Sequence, residues 1–171
     1  ITPTAFIPNE DQGYYFVIYK LPPGASLLRT QATSTELLEI VKRDSAVADV
    51  VQINGLNFLT NAMQTNSGLL IVVLKNWDDR NAFTENLGAI IRRAYLPLHE
   101  VAEASVEVFP PPPIPGLGSV GGFQLQLEAI GGDNFHELSQ VGEQFLAEAA
   151  KRPELARMAT PFSDSVPMIS L

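Results

Sequence analysis

Residues 69–74 read Leu-Leu-Ile-Val-Val-Leu. A short apolar run rich in β-branched side chains is a strand, and the lack of alternation puts apolar groups on both of its faces, which places it centrally in a sheet. Such a strand needs neighbours on either side. Upstream, Gly13 opens the run Tyr14-Tyr15-Phe16-Val17-Ile18-Tyr19, whose aromatic and β-branched content reads as a second strand. Leu21-Pro22-Pro23-Gly24 ends that strand, because proline cannot donate to a ladder and glycine turns freely. Residues 47–53 read as another strand, and Val106 and Val108 mark a fourth, alternating one.

Helical patterns lie between these runs. Ser26 is placed to cap a helix over 27–43, with Leu37, Leu38 and Val41 on one face. Asn81 is a candidate cap for a second helix reaching about Leu98, with Phe83, Leu87, Ile90, Ile91 and Ala94 as its buried stripe. The order is βαββαβ. It predicts an α+β fold, a ferredoxin-like split βαβ sandwich closed within residues 13–109, its four strands antiparallel and both helices on one face. Residues 1–12 read as an irregular lead-in.

A linker over 110–122 follows, with four consecutive prolines from Pro110 that favour an extended chain and later glycines that restore freedom. Phe123, Leu125 and Leu127 then alternate with Gln124, Gln126 and Glu128, the pattern of a one-sided strand. Asn134 with Glu137 resembles a capping box for a helix whose stripe is Phe135, Leu138, Val141, Phe145 and Leu146, stopped by Pro153. A last short strand is expected at 157–160 or 167–171. Residues 123–171 therefore predict an incomplete second βαβ unit, with too little core to stand alone. Its unpaired, one-sided strand is expected to recruit a second copy of the chain, giving a concentration-dependent dimer.

With 46% apolar and 18% charged residues the chain can build a core. The net charge of −8 argues against nucleic acid and against anionic membrane surfaces. The absence of cysteine excludes thiolate metal sites and disulfides. No run of about 18 apolar residues exists, so no segment reads as membrane-spanning. The sequence opens on Ile1 without a leader pattern, and reads as an excised segment of something larger.

Groups for chemistry are sparse, and no cofactor or metal is expected. His99 and His136 lie in helical patterns without a carboxylate cluster at ligand spacing, and read as surface or packing residues. The pairs Glu10-Asp11 and Asp78-Asp79 read as caps of turns or helices. The glycines of 116–122 precede a strand, so no helix N-terminus awaits a phosphate. Residues 54–68 are more informative. They read as a long loop carrying Leu56, Phe58, Leu59 and Met63 among Asn, Gln and Thr, with Gly55 and Gly68 as hinges. Apolar groups on a mobile polar loop adapt to varied ligands, Met most of all.

Several segments are similar to one family. Residues 3–13, Leu21-Pro22-Pro23-Gly24-Ala25-Ser26, Leu74-Lys75-Asn76-Trp77-Asp78-Asp79-Arg80, and Gly116-Leu117-Gly118 with Gly122-Phe123 resemble, in order and spacing, the porter region of resistance–nodulation–division (RND) drug-efflux transporters. That resemblance implies a periplasmic piece of an inner-membrane pump. The first porter subdomain of its C-terminal half would end near 109, and the next would begin near Gly116. It implies no enzyme activity, amphiphilic small-molecule substrates, a homotrimer, a membrane-fusion adaptor as partner, and proton-carrying carboxylates elsewhere. Residues 54–68 fall at the family's switch loop, which makes Gly55, Asn57, Met63, Asn66 and Gly68 its candidate residues. Ile18, Leu56, Phe58, Ile71, Phe109 and Phe123 fall at pocket-lining positions. Leu56 and Ile71 stand where well-known members have phenylalanine, Thr160 where they have arginine and Gly116 where they have an acid, so the implied pocket is less aromatic and less charged. The alternative is an adaptor-docking surface with no ligand contact.

Overall fold

Strand β1 (Tyr14–Lys20) begins where Gly13, at φ +77°, supplies a conformation that side chains disfavour. Helix α1 (Leu27–Val41) follows, and the Ser26 hydroxyl accepts from the Arg29 amide at 3.3 Å, the cap that the sequence predicts. Strands β2 (Val47–Asn57) and β3 (Ala62–Leu74) come next, then a short turn of helix at Trp77–Asp79. Helix α2 (Leu87–His99) and strand β4 (Ser105–Phe109) complete the order βαββαβ. These elements come from a computed structural model that describes residues 10–81, 83–112, 125–128, 135–152 and 160.

The four strands form one antiparallel sheet in the order β2-β3-β1-β4. β3 therefore splits the crossover β1-α1-β2, and the chain is an α+β protein. Side-chain alternation sends Tyr15, Val17 and Tyr19 of β1 with Leu70 and Val72 of β3 to one face, against Leu37 and Val41 of α1 and Leu87, Ile90 and Leu98 of α2. Val106 and Val108 of β4 join them. The main core thus lies between the sheet and its two helices. Several polar groups of this side are paired: the Thr30 hydroxyl donates to the Thr65 carbonyl at 2.7 Å, and the Gln52 amide donates to the Ser34 hydroxyl.

Residues 54–68 are not the long loop that their composition suggests. They are the outer half of a β-hairpin whose turn is 58–61. The backbone ladder and the Asn57 side chain hold it: Asn57 Oδ1 accepts from the amides of Leu59 and Thr60 at 3.1 and 3.2 Å, and its Nδ2 donates to Gln64 at 3.0 Å. The β2–β3 ladder shifts register twice, between Val47 and Asp49 and again between Asn54 and Leu56. Between the pairs Asn54↔Gly68 and Leu56↔Met63, β2 spends the single residue Gly55, whereas β3 spends residues 64–67.

α2 also starts later than expected. Asn81 Oδ1 accepts from Phe83 and Thr84, and Glu85 accepts from the Asn81 amide at 2.7 Å, so Asn81 closes a separate turn. The cap of α2 is Asn86, which accepts from Ala89 at 3.0 Å. Phe83 consequently lies outside the helix stripe and is exposed.

The chain divides into two compact units, Ile1–Gly122 and Phe123–Leu171. In the second, α3 (Phe135–Ala149) forms as predicted, with Leu138 and Leu146 half-buried and Ala149 buried. Val141 and Phe145 are exposed, contrary to the predicted buried stripe. Residues 125–128 are exposed and form no strand. Their alternation alone does not suffice for a strand without a hydrogen-bonded neighbour. Asn134, Pro153, the last strand, the linker beyond Pro112 and the lead-in before Glu10 lie outside the described residues.

Candidate functional site

Among the described residues of the first unit, α1 and α2 both lie on one side of the sheet, and the other face carries its own apolar cluster. There the alternate set of side chains gathers: Phe16 and Ile18 from β1, with Leu69 buried beside them and Ile53, Ile71 and Phe109 packed around. The register explains the grouping. Phe16 lies opposite Ile71 on one side and Phe109 on the other, and Ile18 lies opposite Leu69. The hairpin turn returns Phe58 and Leu59 to this cluster, and the rings of Phe58 and Phe16 sit 5.1 Å apart at 43°. Tyr14 meets Phe16 edge to face at 5.6 Å. Phe58, Ile71 and Phe109 are only partly buried, so this face is apolar and partly open.

Of the six residues that the sequence marks as pocket-lining, Ile18, Phe58, Ile71 and Phe109 come together here. Leu56 does not; it pairs with Met63 beyond the break in the ladder, where Met63 is 84% exposed. Phe123 lies outside the described residues. Sequence reasoning missed Phe16, the centre of the cluster. The period of two along β1 could have found it, because Phe16 shares a face with Ile18.

The two expected hinge glycines differ. Gly55 sits at φ +83° in the broken part of the ladder, a backbone that glycine alone adopts freely. Gly68 has no such angle. A Cβ there would run into the Tyr19 hydroxyl and lie 2.7 Å from the Ile53 carbonyl, so Gly68 is required by close packing. Tyr19 itself donates to Asn54 Oδ1 at 2.8 Å, and burial, against a bond with Ser34, pushes its hydroxyl pKa up to about 12. Asn66 Nδ2 donates to the Leu21 carbonyl at 2.9 Å, which pins the inner part of the hairpin to the end of β1.

An ion pair between the buried Arg80 and the half-buried Asp11 holds the start of the domain. The Asp11 carboxylate accepts from Arg80 at 3.0 and 3.1 Å, from the Gly13 amide at 2.9 Å and from the Leu87 amide at 3.0 Å. Burial would raise its pKa, but these bonds and the Arg80 charge together lower it from 3.8. Asp11 therefore has a structural role, accepting from the first amide of α2 beside the Asn86 cap, in line with the turn- or helix-capping role that the sequence suggests. His99 Nδ1 bonds to the Tyr95 carbonyl and His136 Nε2 to Gln140, and no trio of His, Cys, Asp and Glu could hold a metal among the described residues. No described helix is long and apolar enough to cross a membrane.

The sheet is thus covered by α1 and α2 on one side and carries partly buried apolar side chains on the other. The sequence matches the model of the AcrB/AcrD/AcrF family over residues 1–171, and the chain belongs to that family. It is 36% identical over 151 residues to the multidrug/solvent efflux pump membrane transporter MepB of Pseudomonas putida, covering 87% of this chain and 14% of MepB. It is 33% identical over 171 residues to the toluene efflux pump membrane transporter TtgE, also of Pseudomonas putida, covering 99% and 16%. Against the multidrug export protein AcrF of Escherichia coli the identity is 34% over 153 residues, covering 88% and 15%. The chain thus spans about one-sixth or less of the length of these relatives, which are transporters and not enzymes.

Proposed function

We propose that the face of the sheet opposite α1 and α2, with the hairpin beyond Gly55, is a wall along which an RND efflux pump binds and passes amphiphilic small molecules in the periplasm. One observation carries this reading: Ile18, Phe58, Ile71 and Phe109, marked from sequence at scattered positions, share one partly open apolar face. Binding sites for varied ligands need apolar walls with few fixed polar groups and some adaptability. The exposed Met63 on the outer hairpin supplies the adaptable part. The efflux-pump names of the relatives support the substrate class.

In this reading residues 13–109 are the first porter subdomain of the C-terminal half, 110–122 are the linker and 123–171 begin the second. The intact pump is a homotrimer joined to a membrane-fusion adaptor, and the proton-driven step occurs elsewhere. The test is efflux of the apolar dye Nile red from cells carrying the intact pump. Phe58→Ala and Ile71→Ala should each slow efflux about 5- to 10-fold, the size of one lost apolar anchor. Phe83→Ser, on exposed surface, should leave it unchanged at equal pump abundance. Equal efflux in all three variants would remove the face from the substrate path.

A further inference from the structure

A second cavity lies on the opposite side of the sheet, between the end of α1 and α2, with a volume of about 420 Å³. Its apolar lining includes Ile40, Val41 and Ala94, and its polar lining includes Tyr15, Arg43 and Asp44. Tyr15 is fully buried, and its hydroxyl has no hydrogen-bond partner among the described residues. A buried hydroxyl left unpaired is costly, and native proteins seldom leave one so. Burial first, and then the Asp44 charge against that of Arg93, raise its pKa, so it keeps its proton and is able to donate.

The other polar groups of the cavity separate into occupied and open. Asp44 is held by Arg93 at 2.9 and 3.2 Å and by the Ala46 amide at 3.0 Å. Glu85 accepts from the Asn81 amide at 2.7 Å and the Ser45 hydroxyl at 3.1 Å. Arg93 also donates to the Thr84 carbonyl. Both carboxylates are therefore already bound. Arg43 alone among the charged residues of the lining has no side-chain partner within the described residues. Arg43 only donates, and the protonated Tyr15 hydroxyl can donate, so the group that would satisfy both is an acceptor with negative charge.

We propose that this cavity binds a small amphiphilic monocarboxylate, its hydrocarbon part against Ile40, Val41 and Ala94 and its carboxylate between Tyr15 and Arg43. The volume is at the lower end of the range for ligand pockets, which suits a short chain rather than a large drug. The site lies on the α1–α2 side of the sheet, away from Phe16 and Ile18, so it stands or falls without the efflux reading. The experiment is titration of the full 171-residue chain with sodium octanoate, followed by the NMR signals of Tyr15 and Ala94. Saturable shifts are expected at about millimolar concentration. Tyr15→Phe should weaken binding about 10-fold, the size of one hydrogen bond. Arg43→Gln, on the surface where folding is not at risk, should weaken it about 3-fold. Octylammonium should bind at least about 10-fold less well, because it offers no acceptor. Absence of saturation, unchanged affinity in Arg43→Gln and folded Tyr15→Phe, or equal binding of octylammonium would overturn the proposal and leave a cavity that holds water.

Discussion

The two faces of the sheet are built from alternate residues of the same strands, yet they end differently. On the helix side Tyr15, Val17, Tyr19, Leu70 and Val72 are fully buried. On the other side Phe16 and Ile18 retain 8% and 9% exposure, Ile71 is half-buried, and Val51 and Val73 are exposed. The residue types hardly differ; the covering elements do. An apolar strand face buried under helices contributes to stability, whereas one left partly open has apolar area still to give to something else.

The largest test concerns the pair that closes the helix side. Asp11→Ala leaves Arg80 buried with its partner gone, and should cost about 3–5 kcal/mol in chemical denaturation near neutral pH. The sign with pH follows from the lowered folded pKa: the Asp11 contribution is present above its unfolded value of 3.8 and is lost as pH falls through the folded value. The penalty should therefore shrink on acidification. A penalty that is constant down to strongly acid pH would show that the charge is not what Asp11 supplies.

Next in size is the contrast between the faces. Leu37→Ala should cost about 2–5 kcal/mol, the range for a filled core. Ile71→Ala, on the open face, should cost about 1 kcal/mol because less area is buried there. Equal losses in parallel denaturation curves would mean that both faces are closed alike.

The smallest contrast separates the two glycines. Gly68→Ala forces a methyl against Tyr19 and should cost about 1–3 kcal/mol. Gly55→Ala meets only the Leu27 methyl at 3.3 Å and a strained φ, which should cost about 1 kcal/mol. If Gly55→Ala proves the costlier of the two, the conformation of the break matters more to the fold than the packing at Gly68.

Much of the sheet was legible because its signals are local. The runs at 14–19 and 69–74, the Ser26 cap and the alternation at Val106 and Val108 each act through neighbours in sequence. What was missed depends on contacts made across the chain. The Asn- and Thr-rich residues 54–68 favour turns on their own; pairing with β2 at 62–63 and 68, pairing with β1 at 67–68, and bonds such as Thr65 Oγ1 to the Ala25 carbonyl at 3.1 Å make them strand. Asn81 and Asn86 are equally good caps by type. Asn86 takes the role because Asp11, far away in sequence, binds the Leu87 amide. Phe123, Leu125 and Leu127 show the reverse case, a clean strand pattern with no strand at 125–128. The face holding Ile18, Phe58, Ile71 and Phe109 was half legible: its members were marked through family resemblance, but their meeting on one side follows from the register.

The uneven count of residues around Gly55 has a consequence for how this hairpin can change over generations. In a continuous ladder, adding or deleting one residue inverts every side chain beyond it. Here four residues of β3, held on their other side by β1 and the start of α1, face one of β2, which separates the register of the tip from that of the inner sheet. Insertions and deletions in 56–63 can thus be absorbed before they reach Asn54 and Gly68. The tip is free to vary in length while the inner sheet keeps its inward and outward residues unchanged.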